Sequence, residues 1–523
     1  MIDYDCFANV FDKIAEELDS ANTLLKIALV DKKWAGLAIK RLYKDPWRYC
    51  FYRSDSSLAK KLINIYLMCL RGSMAASSNS TRGNRDEPLL KRQNTRENIQ
   101  EIYVPSRDYI AMAENLHIPV LYHCIESSYA STNEITDDMR LEINRTFYQL
   151  FKMFINKANI KECTFHESKI TTEYPITLEH LDELVTTLFN RGLHLRYLNL
   201  GFFNCNNEGL AILTEKCSAL ETFKIKASCC SDKALADFLR RQRRLTKLKI
   251  RDAAEMIETM DAIRSQSRSI VKLRILNCNL GDCKTSFTGI GECTLRSLYM
   301  RDIHFTTNTS FSQLLMPIAQ NCKFHNIDFS KTPLPVEVLI EIAKKSSTTL
   351  RRVHLIRPEN EIEYINLSAG IEALARHATN LRHFERNIHP SEINSICYLF
   401  DSIGQSLERL EIDSNMDGLD MSNLIESIGR KCRNLCLLNI NNFEFNFGAL
   451  EELVKGCPYL HTLFICESQS VNDRIFELLR NSNLQSLDIT GCPNVTDEAI
   501  HRFQREREID IEYGSPKKNL SGF

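Results

Sequence analysis

The sequence predicts an α/β solenoid, with parallel strands on a concave side and helices on a convex side, preceded by a small all-α module. Three observations predict it. A six-residue apolar phrase recurs from Leu195 onward. Segments with helical spacing separate its copies. No long apolar run and no catalytic motif competes with that pattern.

The phrase reads LRYLNL at 195, LETFKI at 220, LTKLKI at 245, IVKLRI at 270 and LRSLYM at 295. It continues as FHNIDF at 324, LRRVHL at 350, LRHFER at 381, LERLEI at 407, LCLLNI at 435, LHTLFI at 460 and LQSLDI at 484. Copies start 24 to 31 residues apart, with apolar residues at places one, four and six. Only LRHFER departs, ending in Arg386. Places four and six lie two apart and so point to one side of a strand. Between phrases, NEGLAILTEKC and DEAIHRFQRE space apolar residues three or four apart, as helices do. One such unit cannot bury both faces, but stacked units can. This period and pattern are the signature of a leucine-rich-repeat solenoid, a horseshoe. It is expected over 160–512, with IKECTF at 160 as an early, degenerate copy or a capping unit.

The unit at 484, LQSLDITGCPNVTDEAIHRF, resembles the cysteine-containing subfamily of these repeats. Cys217, Cys322, Cys432 and Cys457 recur just before the next strand. They stand a full repeat apart, so no metal set is expected; they read as small hydrophobes filling the helix-to-strand turn.

Residues 99–159 read as a helical linker or N-terminal cap. Residues 72–98 are rich in Ser, Asn, Arg and Gly and read as a disordered loop. Residues 51–71 read as a linking helix and 513–523 as a flexible tail. At the N-terminus, Phe7, Val10, Phe11, Ile14 and Leu18 form one helical stripe. A second helix carries Leu25, Leu29, Trp34 and Leu42, and Pro46 closes it. Both tryptophans of the chain, Trp34 and Trp47, lie here. A unit of about 45 residues is near the lower limit for a self-sufficient core, so a partner covering part of it is expected.

Ile2-Asp3-Tyr4-Asp5-Cys6-Phe7, Val10-Phe11 and Leu29-Val30-Asp31-Lys32-Lys33-Trp34 resemble an F-box. Val30, Lys32 and Trp34 match that family; Asp3 stands where it has Pro, and Asp31 where it has Cys. With the repeats behind it, the chain is similar to the divergent F-box/leucine-rich-repeat proteins abundant in some fungi. Those proteins are substrate receptors of Skp–cullin–F-box ubiquitin ligases. The resemblance implies that residues 1–50 dock a Skp-type adaptor, and through it a cullin–RING ligase. The implied adaptor surface is Ile2, Tyr4, Phe7, Val10, Phe11, Leu25, Leu29, Val30 and Trp34. The repeat domain would hold the target.

Places three and five, and the residue after place six, should face away from the core. Four consecutive units place Lys224, Lys226, Lys247, Lys249, Arg251, Lys272, Arg274 and Arg301 there, with Tyr299 among them. At about 4.8 Å per strand, these cations should gather within roughly 15–20 Å. Later units carry Asp328, Glu385, Glu411, Asp413 and Asp488, relieved by Arg352 and Arg409. A basic-then-acidic face suits an acidic or phosphorylated protein segment.

The formal charge of -1, from 66 basic and 67 acidic residues, gives no global attraction to nucleic acid or membrane. With one aromatic in the basic patch, a nucleic-acid site is not expected. No run of 18 apolar residues predicts a spanning helix. MIDYDCFANVF lacks a basic n-region, so no secretory signal is expected. Nineteen dispersed cysteines read as reduced thiols of the cytoplasm or nucleus. There is no Gly-x-Ser-x-Gly, P-loop, His-Glu-x-x-His or Cys-x-x-Cys, so neither enzyme activity nor a cofactor is expected. Lone histidines such as His166 and His354 read as structural or surface residues. The rival readings are a binding scaffold without a ligase link and a leucine-rich-repeat GTPase activator.

Overall fold

A computed structural model describes residues 39, 41–45, 62–69, 109–129, 135–165, 195–281, 294–305, 308–356, 366–414 and 420–514. The chain divides into two compact units, Met1–Leu245 and Thr246–Phe523. Both are built from one device, a short strand followed by a helix, repeated.

In the first unit, β1 (Asn115–His117) precedes α1 (Ile118–Tyr129) and α2 (Asp137–Lys157). β2 (Glu162–Thr164), β3 (Tyr197–Asn204), α3 (Asn207–Lys216), β4 (Thr222–Lys226) and α4 (Asp232–Arg241) follow. β1 pairs with β2, β2 with β3 and β3 with β4, all parallel. β2 is the expected phrase at 160, and β1 lies within the stretch read as linker or cap. Tyr66 is fully buried, edge-on to Phe154 at 5.0 Å. Tyr43 stacks on Tyr109 at 4.4 Å, and burial, with Tyr109 and Cys69 nearby, pushes its phenol up to about 12. Beside it the Lys44 carbonyl accepts from the Glu114 amide, and Asn115 Nδ2 donates to Asp45 Oδ2 at 2.9 Å. Glu114 pairs with both Lys44 and Lys161. The end of the helix predicted to close at Pro46 is thus fastened to the first strand.

The second unit runs β5 (Lys247–Arg251), α5 (Ile257–Ser265), β6 (Lys272–Gly281), β7 (Ser297–Phe305), α6 (Asn308–Asn321), β8 (Asn326–Asp328) and α7 (Val336–Lys345). Next come β9 (Arg352–Leu355), α8 (Ser368–His377), β10 (His383–Ile388), α9 (Ile393–Ile403), β11 (Arg409–Ser414) and α10 (Ser422–Lys431). It ends with β12 (Leu437–Asn441), α11 (Phe447–Gly456), β13 (Thr462–Phe464), α12 (Arg474–Leu479), β14 (Ser486–Asp488), α13 (Asp497–Glu506) and β15 (Asp510–Glu512). Each strand pairs in parallel with the next in sequence, with no crossover.

Places four and six of every phrase are buried, Leu248 and Ile250 or Leu438 and Ile440 for example. Burying such a side chain contributes about 1.5–3 kcal/mol. Arg386, the exception at place six, is buried as well, at 4% exposure. Helix starts are set by short polar residues. Asn206, Ser231, Asn446 and Thr496 each accept a backbone N–H from the first turn of α3, α4, α11 and α13. Cys217, Cys432 and Cys457 cap α3, α10 and α11 at their C-terminal ends and are buried, as is Cys322 just past α6.

Two places beyond the phrases at 245, 270, 295, 324, 435, 460 and 484 the backbone enters the left-handed region. Asp252, Asn277, Asp302, Lys331, Asn442 and Glu467 have φ between 51° and 58°, and Gly491 has 75°. That turn lets the amide reach the following repeat. Asp252 N donates to the Leu276 carbonyl at 3.0 Å, and Asn442 N to that of Cys466 at 3.0 Å. On the helix side, α10 and α11 meet through two glycines. A Cβ on Gly456 would lie 1.9 Å from the Gly429 carbonyl oxygen, which only glycine tolerates.

Candidate functional site

Strand register turns the phrases of the second unit into two outward rows. Through place three run Lys247, Lys272, Ser297, Asn326, Arg352, His383 and Arg409. Through place five run Lys249, Arg274, Tyr299, Asp328, His354, Glu385 and Glu411. The buried residues between them fix each strand, so these side chains project from a rigid floor.

The basic end centres on Tyr299. Lys272 Nζ lies 5.2 Å, and the Arg274 guanidinium carbon 4.4 Å, from the Tyr299 ring centroid. Such contacts are worth about 0.5–2 kcal/mol each. Arg274 Nε is buried and makes no hydrogen bond among the described residues. Lys247 is exposed and Lys249 half-buried. Arg251 and Arg301 are paired with acids. Arg251 Nε donates to Asp252 Oδ2 at 3.0 Å. Arg301 clasps Asp328 Oδ2 through Nε and Nη2, both at 2.5 Å. Asp328, expected on an open acidic face, is fully buried because Arg301 and the Ser330 amide cover its carboxylate. In the first unit, Lys224 Nζ donates to Tyr197 OH at 2.7 Å and lies over its ring, while Lys226 is half-buried.

The later acids are also spoken for. Asn442 Nδ2 donates to Asp413, and the Thr490 amide to Asp488. Glu385 Oε2 accepts from His354 Nδ1. Glu411 Oε1 accepts from His383 Nε2 at 3.0 Å and from Arg409 Nε at 2.7 Å. Burial alone would raise the Glu411 carboxyl, but these donors outweigh it and hold it at about 2. Burial, with His354 and Arg409 nearby, lowers His383 against the opposing pull of Glu411. The His354 and His383 rings meet edge to face at 4.4 Å between centroids.

His354, read from sequence as a lone structural or surface histidine, is therefore one of a pair. Sequence reasoning passed over His383 altogether. Aligning the phrases at 350, 381 and 407 would have found both, because neighbouring places three and five become neighbouring side chains. All nine residues expected on the adaptor surface, Ile2, Tyr4, Phe7, Val10, Phe11, Leu25, Leu29, Val30 and Trp34, lie outside the described residues, as do the loop at 72–98 and Trp47.

Fold and rows together define a leucine-rich-repeat solenoid: a stack of parallel strands and helices whose outward strand side chains are the variable part. Solved structures similar to it include the crystal structure of the Rad7 and Elc1 complex in yeast, at 14% identity and TM-score 0.41, covering 73% of this chain and 98% of that one. Another is an internalin (inlF) from Listeria monocytogenes, at 13% identity and TM-score 0.37, covering 62% of this chain and 95% of that one. No protein-family model and no curated protein matches the chain. The assignment of the fold rests on the period and strand register described above.

Proposed function

We propose that this chain is the non-catalytic substrate-recognition subunit of a Skp–cullin–F-box ubiquitin ligase, working in the cytoplasm or nucleus. The observation that carries the reading is the order of parts. An F-box-like phrase, Val30-x-Lys32-x-Trp34, precedes a long repeat array. The described residues 43–45 meet the segment leading into the first strand: Tyr43 stacks on Tyr109, the Lys44 carbonyl accepts from the Glu114 amide and Asp45 accepts from Asn115. On the array, Lys247, Lys249, Lys272, Arg274 and Tyr299 offer several positive charges around one aromatic platform. That surface suits an acidic or phosphorylated protein segment.

Full-length chain co-expressed with a Skp-type adaptor should co-purify with it, and the triple replacement of Val10, Phe11 and Trp34 by Ala should abolish this. No co-purification at the outset would leave a plain binding scaffold instead. Affinity purification with a ligase-inactive cullin should then accumulate a substrate. Its affinity should fall with added salt and on reversing Lys247, Lys249 and Lys272 to Glu. Unaltered affinity would overturn the assignment of the basic rows and leave the adaptor reading intact.

A further inference from the structure

We propose that His354, His383 and Glu385 form a binding site for one divalent transition-metal ion of the zinc class, on the outward face of β9 and β10. The three residues each offer one ligand atom, and these atoms lie within 4.8 Å of one another. Around zinc, ligand bonds of about 2.1 Å put tetrahedral ligand atoms about 3.4 Å apart.

The donor set selects the metal class. Two imidazoles and one carboxylate suit zinc and its neighbours, whereas magnesium and calcium favour oxygen alone. Three protein ligands leave the fourth position for water or for a side chain of a bound protein. The ligands stand on paired strands, His354 beside Glu385 and next to His383, with Val353, Leu355 and Phe384 buried beneath. Side-chain exposures of 15%, 12% and 20% for His354, His383 and Glu385 leave the cluster reachable from solvent yet partly dry.

An outer layer is already in place. Glu411 accepts from His383 Nε2 and is itself held by Arg409 Nε. A carboxylate on the far nitrogen of a ligating histidine fixes its tautomer and raises its basicity. Binding a metal would exchange the direct contact between His354 Nδ1 and Glu385 Oε2 for bonds from both to the ion. The proposal does not depend on the ligase reading.

The test uses full-length, chelator-treated, reduced protein titrated with zinc alone in a calorimeter. We expect one ion per chain at this site, with X-ray absorption showing imidazole and oxygen ligands. The double variant H354Q/H383Q should lose it, and E385Q should weaken it strongly. E411Q should bind roughly 10–100-fold more weakly, as outer-layer losses do. Metal-free melting curves identify any variant that fails to fold; E385Q decides if the double variant does. Absence of zinc binding, coordination through sulfur only, or unchanged binding in a folded H354Q/H383Q or E385Q variant would overturn the proposal and leave a polar ladder.

Discussion

Arg386 and Glu392 form a buried ion pair at the position where the other phrases bury an apolar side chain. Arg386 Nη2 donates to Glu392 Oε1 at 2.8 Å and Nε to Oε2 at 3.2 Å. Arg386 Nη1 also donates to the Leu355 carbonyl, and the Leu367 amide donates to Glu392 Oε1. The exposures are 4% and 0%, so neither charge has water to fall back on.

Breaking this pair from one side should be severe. Arg386→Met leaves a buried carboxylate alone and should cost about 3–5 kcal/mol. Adding Glu392→Gln removes that charge while keeping an acceptor for Leu367, and should restore more than half of the loss. Urea unfolding of both variants checks this. Equal losses would mean that packing, not the stranded charge, dominates.

Arg301 should be irreplaceable by Lys. Its guanidinium presents two nitrogens to the fully buried Asp328, a geometry one ammonium cannot reproduce. Because Arg301 is 43% exposed, the expected loss for Arg301→Lys is modest, about 1–2 kcal/mol. Arg301→Ala should lose more. Thermal melts that rank Lys equal to the wild type would refute the bidentate role.

Gly456→Ala should destabilise by about 1–3 kcal/mol, because a methyl there meets the Gly429 carbonyl and must push α10 and α11 apart. Gly209→Ala is a milder control, its nearest contact being the Cys205 sulfur at 3.1 Å. Denaturant midpoints compare the two.

Cysteine chemistry should follow burial. Cys229 is exposed and should be alkylated within minutes in the native chain. Burial pushes the Cys457 thiol up to about 12 and the Cys432 thiol higher still, so both should stay protected until the array unfolds. The raised folded values fix the sign of the pH effect. Stability from these thiols is complete below the unfolded value near 9 and is lost as pH rises above it. Mass-spectrometric labelling and alkaline melts measure the two effects.

The repeat was legible because its signal is local and periodic: Leu248 and Ile250 must share a face whatever surrounds them. Arg386 was legible only as an irregularity. Its partner lies six residues on, in a turn before α9, where no period points. Asp328 looked like a surface acid because strand alternation says which side a residue faces and not what lies over it. The His354–His383 pair was hidden for the opposite reason. The two are 29 positions apart in sequence, and only the pairing of β9 with β10 makes them neighbours.

β15 carries Asp510 and Glu512 on either side of buried Ile511. Among the described residues no strand follows it. A stack of parallel strands grows by adding one more, and its last rung is a template for any extended chain that comes near. A newcomer in the same register would face two carboxylates, over peptide groups only three residues long. A second copy's β15 laid against it would share three residues of backbone and set carboxylate against carboxylate.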